Sequence, residues 1–457
     1  VWTYDVSEKT ITLTRTSSGT WYGLYNAYTS SSAHTMWYDM FFKGDVEKAV
    51  IDGYQTAGRY IFNDFNGLKT VESSSMKDFD REMFQYTSVK NISFTNLVTL
   101  NADRLNGLES LETVNLPSAT AVNDRAFSGC KSLTAAVLGN SVRIGNSSFL
   151  NCTSLTSVSA EKIYSLGYMS LKGCSNLGPQ SFSLLTSMDQ YVFDGCTHMT
   201  SAIMPDLTTI GSNGFRGSSI AGDLTFNSLN TVSDSAFYGC TGITSITMPS
   251  VTSIANSAFF GCTSLASATL SEDLTSLGAS AFWDCNSLES VSTLGKITAI
   301  NSDTFRNSGL TSLTIPSTVI NIHARAFYQC NSLTGIEIPA GVINIYDSAF
   351  QGCVGLLGLK LNEGLKAIST YAFDGCASLG GTPDGSGSYT AVSMPDSLTT
   401  ISNNAFSGCS SLKGISFGSG SLLSSVGSNA FRGCGNLTGS LNFGNQLTSI
   451  GASAFYG

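Results

Sequence analysis

Ser235-Ala236-Phe237-Tyr238-Gly239-Cys240-Thr241-Gly242-Ile243-Thr244-Ser245-Ile246-Thr247-Met248-Pro249-Ser250-Val251-Thr252-Ser253-Ile254 is the stretch that decides the fold. Ile246 and Met248 alternate with Ser245 and Thr247. A period of two over so few residues predicts one short strand, its aliphatic side chains inward and its hydroxyls outward. Pro249 lacks the amide hydrogen a strand needs and marks its exit. Ile254 supplies a second apolar wall, and the compact Ser-Ala-Phe segment predicts a tight helical or 3₁₀ corner that drives the ring inward.

The same register returns at Phe62, Phe84, Leu105, Phe127, Phe149, Leu171, Phe193, Phe215, Phe237, Phe259, Phe282, Phe305, Phe327, Phe350, Phe373, Phe406, Phe431 and Phe455. The interval is 21 to 23 residues as far as Phe373. Five residues before these positions stands another apolar side chain, as at Val122, Ile144, Leu166, Ile210, Ile300 and Ile401. One such coil cannot bury its own faces, whereas stacked coils cover one another. The expected fold is therefore an α/β-type repeat solenoid, a right-handed array of coils with one short parallel strand per repeat of 22 to 23 residues and short helical or 3₁₀ corners. About 18 to 19 coils are expected over residues 40–457. Residues 1–39 fall outside the pattern and hold Trp2, Trp21 and Trp37; alternation of Ile11 and Leu13 with threonines predicts a β-hairpin cap there.

At this point the residues resemble a known family. The pattern Leu-Thr-Ser-Ile-x-x-x-Ala-Phe-x-Gly-Cys-x-Ser-Leu, present from Ile254 to Leu265 and again from Leu277 to Leu288, is similar to the BspA-type leucine-rich repeat. The resemblance runs from about residue 58 to the end of the chain. It implies a leucine-rich-repeat fold and a secreted or cell-surface protein of a host-associated microbe. Adhesion or protein binding is the implied role, and no catalytic residues are carried over. Departures occur at Thr87, Ser218 and Ser308, which replace the cysteine, and at an insertion near residues 380–390 with the composition of a flexible loop.

Composition bounds the remaining possibilities. Charged residues are 12% of the chain, about half the usual quarter, and the formal net charge is −9. Without a basic run or a basic face interleaved with aromatics, neither nucleic acid nor an anionic membrane is an expected partner. No stretch approaches the roughly 20 apolar residues of a membrane-spanning helix. The chain begins at Val1 rather than methionine, so a trimmed start is expected, with export signal and anchor outside this sequence.

The twelve cysteines all occupy one repeat position, three residues after the phenylalanine. Small buried thiols replaceable by Ser or Thr are the expected reading. Stacking would also bring neighbouring Cα atoms to about 5 Å, within reach of pairing. No Cys-x-x-Cys or Cys/His spacing suggests zinc, and no cofactor is expected. Histidine occurs only at His34, His198 and His323, on distant coils, which argues against a catalytic constellation and against an enzyme.

Two surfaces are candidates for binding. Outward strand positions form a Ser/Thr ladder, from Ser157/Ser159 to Ser312/Thr314, that turns to Gly335/Glu337, Gly358/Lys360 and Gly414/Ser416. On the corners, Tyr238, Phe260, Trp283 and Tyr328 each follow the buried phenylalanine. Packing between coils would account for them, and they are also the best candidates for a protein-binding patch. The expected function is a non-enzymatic adhesin or protein-binding scaffold, monomeric, meeting extracellular or cell-surface proteins. The alternative is a glycan-binding or glycan-decorated spacer, suggested by the ladder and by the cap aromatics Tyr22, Tyr25, Tyr28, Trp37 and Tyr38.

Overall fold

The computed structural model describes residues 2–14, 44–59, 61–62, 65–160, 162–383 and 389–457. The chain divides into two compact units, Val1–Leu207 with Asn213–Ile220 and Thr208–Ser212 with Ala221–Gly457. In the first, β1 (Trp2–Asp5) pairs antiparallel with β2 (Thr10–Thr14), which pairs parallel with β3 (Lys48–Asp52). The parallel ladder then continues through Thr70–Ser73, Asn91–Phe94, Thr113–Asn115, Ala135–Val137 and Ser157–Ser159. The cap aromatics from Tyr22 to Tyr38 lie outside the described residues.

Each coil carries a second strand at the apolar wall, which corrects the expectation of one strand per repeat. Thr99–Leu100, Ala121–Val122 and Ser141–Ile144 pair in parallel in the first unit. Thr209–Ile210, Thr231–Val232, Ser253–Ile254 and Ser276–Leu277 do so in the second, followed there by a separate sheet from Ala299–Ile300 to Ser449–Ile450. Partners are one repeat apart, as in Ala135↔Ser157 and Thr231↔Ser253. Register follows from burial: a slip of one residue would turn Val232 and Ile254, both fully buried, to solvent.

The corners are not helical, and no helix occurs among the described residues, so the α/β character expected from the sequence is replaced by a parallel-strand solenoid with turn corners. The backbone amides show why. Ala236, Tyr238 and Cys240 donate three residues back, to Ser233, Ser235 and Phe237. Ser235, Phe237 and Gly239 donate instead to Asn256, Ala258 and Phe260 of the next coil, at 2.8–3.0 Å. A 3₁₀ helix would direct every amide backward, whereas here alternate amides tie one coil to the next. Ser235 and Gly239 sit at φ 55° and 70°, and these left-handed residues on either side of Phe237 forbid helical continuation. Asx side chains add to the ladder: Asp234 Oδ1 accepts the Asn256 amide at 3.0 Å, and Asn256 Oδ1 accepts that of Ala279 at 2.9 Å.

Inside the corner the phenylalanine rings stack. Phe237, Phe259, Phe282 and Phe305 follow at centroid spacings of 5.1, 5.2 and 5.7 Å. The described cysteines form no disulfide and are buried. The thiols bond back to the preceding coil, as where Cys262 Sγ donates to Phe237 O at 3.2 Å and Cys353 Sγ to Phe327 O at 3.0 Å. Burial pushes the Cys130 and Cys196 thiols up to about 12, so these groups stay protonated.

The insertion forms an antiparallel pair, Thr382–Pro383 with Tyr389–Thr390, and residues 384–388 lie outside the described set. The pair leans on the strand Gly358–Leu361. A Cβ on Gly358 would stand 2.9 Å from Pro383 Cγ and 3.1 Å from Tyr389 Cε1. That contact is the physical reason the hydroxyl ladder gives way to glycine at Gly358.

Candidate functional site

With the phenylalanine ring turned inward, the next residue projects from the outer side of the corner, its amide held by the bond three residues back. Adjacent coils bring these side chains face to face. Tyr238 and Phe260 stack at 4.6 Å and 4°, and Phe260 meets Trp283 edge-on at 5.1 Å. Trp283 and Tyr328 do not touch as neighbours, because the coil of Phe305 stands between them and contributes Arg306. The guanidinium carbon of Arg306 lies 4.4 Å from the Trp283 ring and 4.8 Å from the Tyr328 ring.

The four sequence candidates therefore belong to one column, completed by a cation the sequence reading missed. Its signal was available: Arg306 occupies the same position after Phe305 that Trp283 occupies after Phe282. Aromatic pairs contribute about 0.5–1.5 kcal/mol beyond their burial, and exposed cation–π contacts about 0.5–1 kcal/mol. Arg306 is further fixed by Asp303 Oδ1 at 3.3 Å, and Asp303 also receives a bidentate Arg325 at 2.9 and 3.0 Å. All four aromatics are half-buried. The stacking and the ion pair hold these side chains in place, each partly open to solvent. Tyr456 stands apart from it, 66% exposed, with Arg432 5.7 Å from its ring.

The strand-face ladder is less available than its composition suggests. Thr113 Oγ1 donates to Asn91 Oδ1 at 2.6 Å, Asn115 Nδ2 to Ser93 Oγ at 3.0 Å, and Ser245 Oγ to Asp223 Oδ1 at 2.6 Å. On this strand face some side-chain hydrogen bonds run between coils rather than to solvent. The two described histidines are occupied locally: His198 Nδ1 lies 2.7 Å from Ser175 O, and His323 stacks on Tyr346 at 5.1 Å. Among the described residues no group of three His, Cys, Asp or Glu is placed to hold a metal ion. No helix among them is long and apolar enough to cross a membrane.

Comparison with known proteins places the repeat. The chain matches the family described as "BspA type Leucine rich repeat region" in six copies, over residues 28–104, 47–134, 120–231, 209–334, 298–381 and 384–457. Among solved structures it is similar to a leucine-rich repeat protein from Bacteroides ovatus, with 21% identity, 76% of this chain and 82% of that one covered, and a TM-score of 0.48. A leucine rich cell surface protein from Faecalibacterium prausnitzii shows 19% identity over 77% of this chain and 83% of its own, with a TM-score of 0.35. The leucine-rich repeat protein of T. pallidum is 31% identical over 35% of this chain and 78% of its own, with a TM-score of 0.32. No curated protein matches the chain.

Proposed function

We propose, for a chain that belongs to the BspA-type leucine-rich repeat family, a non-enzymatic role as an exported or cell-surface scaffold that binds extracellular proteins, an adhesin in contact between microbe and host. The observation that carries this reading is the column Tyr238, Phe260, Trp283, Arg306 and Tyr328. Trp, Tyr and Arg are the residue types that dominate protein interfaces. Their mutual stacking fixes their rotamers before a partner arrives, which lowers the ordering cost of association. The backbone ladder beneath supports the same surface over five successive coils.

The test is binding of the folded protein to an array of extracellular matrix proteins and host receptors, beside a Tyr238→Ala/Trp283→Ala variant and a Tyr456→Ala control. Loss of roughly a thousandfold in affinity is expected for the double variant, since two hot-spot truncations at about 2 kcal/mol each sum to about 4 kcal/mol. The control should bind as the parent does. An equal affinity in parent and double variant, or no protein ligand on a broad array, would overturn the proposal. Melting curves of all three chains separate lost contacts from lost structure.

A further inference from the structure

A second surface stands apart from the aromatic column and arises from a change in chain length. In coils that carry the cysteine, three residues lead from it to the next buried aliphatic, as from Cys285 to Leu288 and from Cys330 to Leu333. In the coil of Phe305 the cysteine is Ser308 and only two residues lead to Leu310. The missing residue belongs to the exposed tip of the turn. Asn286 and Asn331, exposed on the tips of the adjoining coils, are left overhanging a gap. The gap is a concavity of about 570 Å³ whose lining includes Asp284, Asn286, Asn307, Ser308, Gln329 and Asn331. The coil of Phe84, where Thr87 replaces the cysteine and Val89 follows two residues later, is likewise bordered by a concavity of about 600 Å³. A shortened turn thus borders each notch, and the coil of Phe215, where Ile220 follows Ser218 by two residues, shares the spacing.

The notch of the second unit is also furnished. Two residues after the phenylalanine, other coils of this unit place glycine in the left-handed region, at Gly239, Gly261, Gly352, Gly375, Gly408 and Gly433. The short coil and its two neighbours place Asp284, Asn307 and Gln329 there, at φ 59°, 54° and 55°. Side chains in that conformation are strained, glutamine more than asparagine or aspartate. All three strained side chains line the concavity. Asn307 Nδ2 donates to Asp284 Oδ1 at 2.8 Å, which orients both.

The lining chemistry selects a ligand class. It has no Lys or Arg to hold a phosphate or carboxylate, and no aliphatic or aromatic side chain to hold an apolar group. One carboxylate is a weak charge count for a calcium site built from six to eight oxygens. What remains is a carboxylate acceptor, several carboxamides that donate and accept, and hydroxyls. Neighbouring donor and acceptor groups of this kind match vicinal hydroxyls, and a concavity of this size suits one or two sugar rings. We propose that this notch is a binding site for a neutral saccharide, in the form of a free mono- or disaccharide or the end of a glycan.

Saturation-transfer NMR on the full chain with glucose, galactose, mannose, N-acetylglucosamine and lactose would test the site. At least one sugar should give transfer. An Asp284→Gly/Asn307→Gly variant takes on the glycines that other coils already carry, so it should melt no lower than the parent while losing about tenfold or more of the affinity. Asn404→Gly, a left-handed position on the distant coil of Phe406, should leave sugar binding unchanged. Transfer from no sugar, transfer retained in the double variant, or a signal that requires added Ca²⁺ would each overturn the proposal.

Discussion

The first coils of the amino-terminal unit and the coils of the second unit fill the same corner with different geometry. In the second, Phe327, Phe350, Phe373, Phe406 and Phe431 stack at 4.8–5.2 Å with interplanar angles of 3–9°. In the first, Phe62 and Phe84 are 6.1 Å apart, Phe79 meets Phe84 and Phe94 edge-on, and Leu105 and Leu171 replace the ring altogether. The outer ladder of alternate amides persists where the ring is replaced: Leu105 donates to Ala126 and Leu171 to Val192, as Phe237 donates to Ala258. The backbone ladder thus defines the coil, and the ring is an apolar filling whose regularity adds contact energy without setting the path of the chain.

The largest expected effect sharpens this difference through pH. Burial raises Cys130, Cys152, Cys174 and Cys196 in the first unit and Cys262, Cys285, Cys330, Cys353, Cys376 and Cys409 in the second. A thiol raised in the folded state contributes fully below its ordinary value of 9.0, and that contribution is lost as pH rises toward the folded value, about 12 for Cys130. Each such thiol tilts stability by about 1.4 kcal/mol per pH unit in that window. Alkaline exposure should therefore open the second unit before the first. Alkylation of the thiols at rising pH, read by peptide mass, checks the order; simultaneous labelling would break the comparison.

Next in size is truncation of the stack. Phe350 lies between Phe327 at 4.8 Å and Phe373 at 5.0 Å and is fully buried. Phe350→Ala should cost about 3–5 kcal/mol, and Leu171→Ala, with fewer ring contacts to lose, about 2–4 kcal/mol. Hydrogen exchange should show both losses concentrated in adjoining coils, because each coil contacts only its neighbours. Uniform deprotection of a whole unit would contradict that account.

A smaller contrast concerns one ion pair made twice. Arg125 grips Asp103 at 2.7 and 2.8 Å in the first unit, and Arg325 grips Asp303 at 2.9 and 3.0 Å in the second. The Asp103 side chain is 22% exposed, that of Asp303 8%. Arg325→Ala should cost about 1–2 kcal/mol and Arg125→Ala less, because water screens the more open pair. The Arg125 hydrogen bond holds the Asp103 carboxyl below its ordinary 3.8, so that pair's contribution is present above that value and fades as pH falls through the folded one. Denaturation midpoints of the two variants at neutral and acid pH give both readings.

Much of the solenoid was legible because every core position recurs with its neighbours in phase. The corners were misread because Ser-Ala-Phe also suits a helical turn. The deciding residues flank it: Ser235 and Gly239 tolerate the left-handed region, and a helix would not place such residues on both sides of one ring. The second strand was missed because in most coils it is two residues long, too short for alternation to register, although its inward residue was recognised as a wall. Of the corner column the four aromatics were visible; Arg306 was passed over as a charge in an aromatic row. The notch had a signal of its own, the shortened spacing from Ser308 to Leu310, which looks trivial until the neighbouring tips are seen to overhang it.

The smallest expected effect bears on whether the notch carries strain for a purpose. Gln329 occupies at φ 55° a position where Gly352 and Gly375 sit at 75° and 73°. A non-glycine residue there costs about 1–2 kcal/mol of backbone energy, partly offset by the greater freedom glycine gives the unfolded chain, about 0.5–1 kcal/mol. Gln329→Gly should therefore raise stability by about 0.5–1 kcal/mol, whereas the reverse change, Gly375→Gln, should lower it by a similar amount. A Cβ at Gly375 would come no closer than 3.8 Å to another coil, so this loss would reflect backbone conformation rather than a clash. Chemical denaturation of the two variants measures the pair. Opposite signs would show that the notch accepts a stability cost that other coils avoid; equal signs would mean that the three side chains relieve strain elsewhere and that the left-handed positions say nothing about binding.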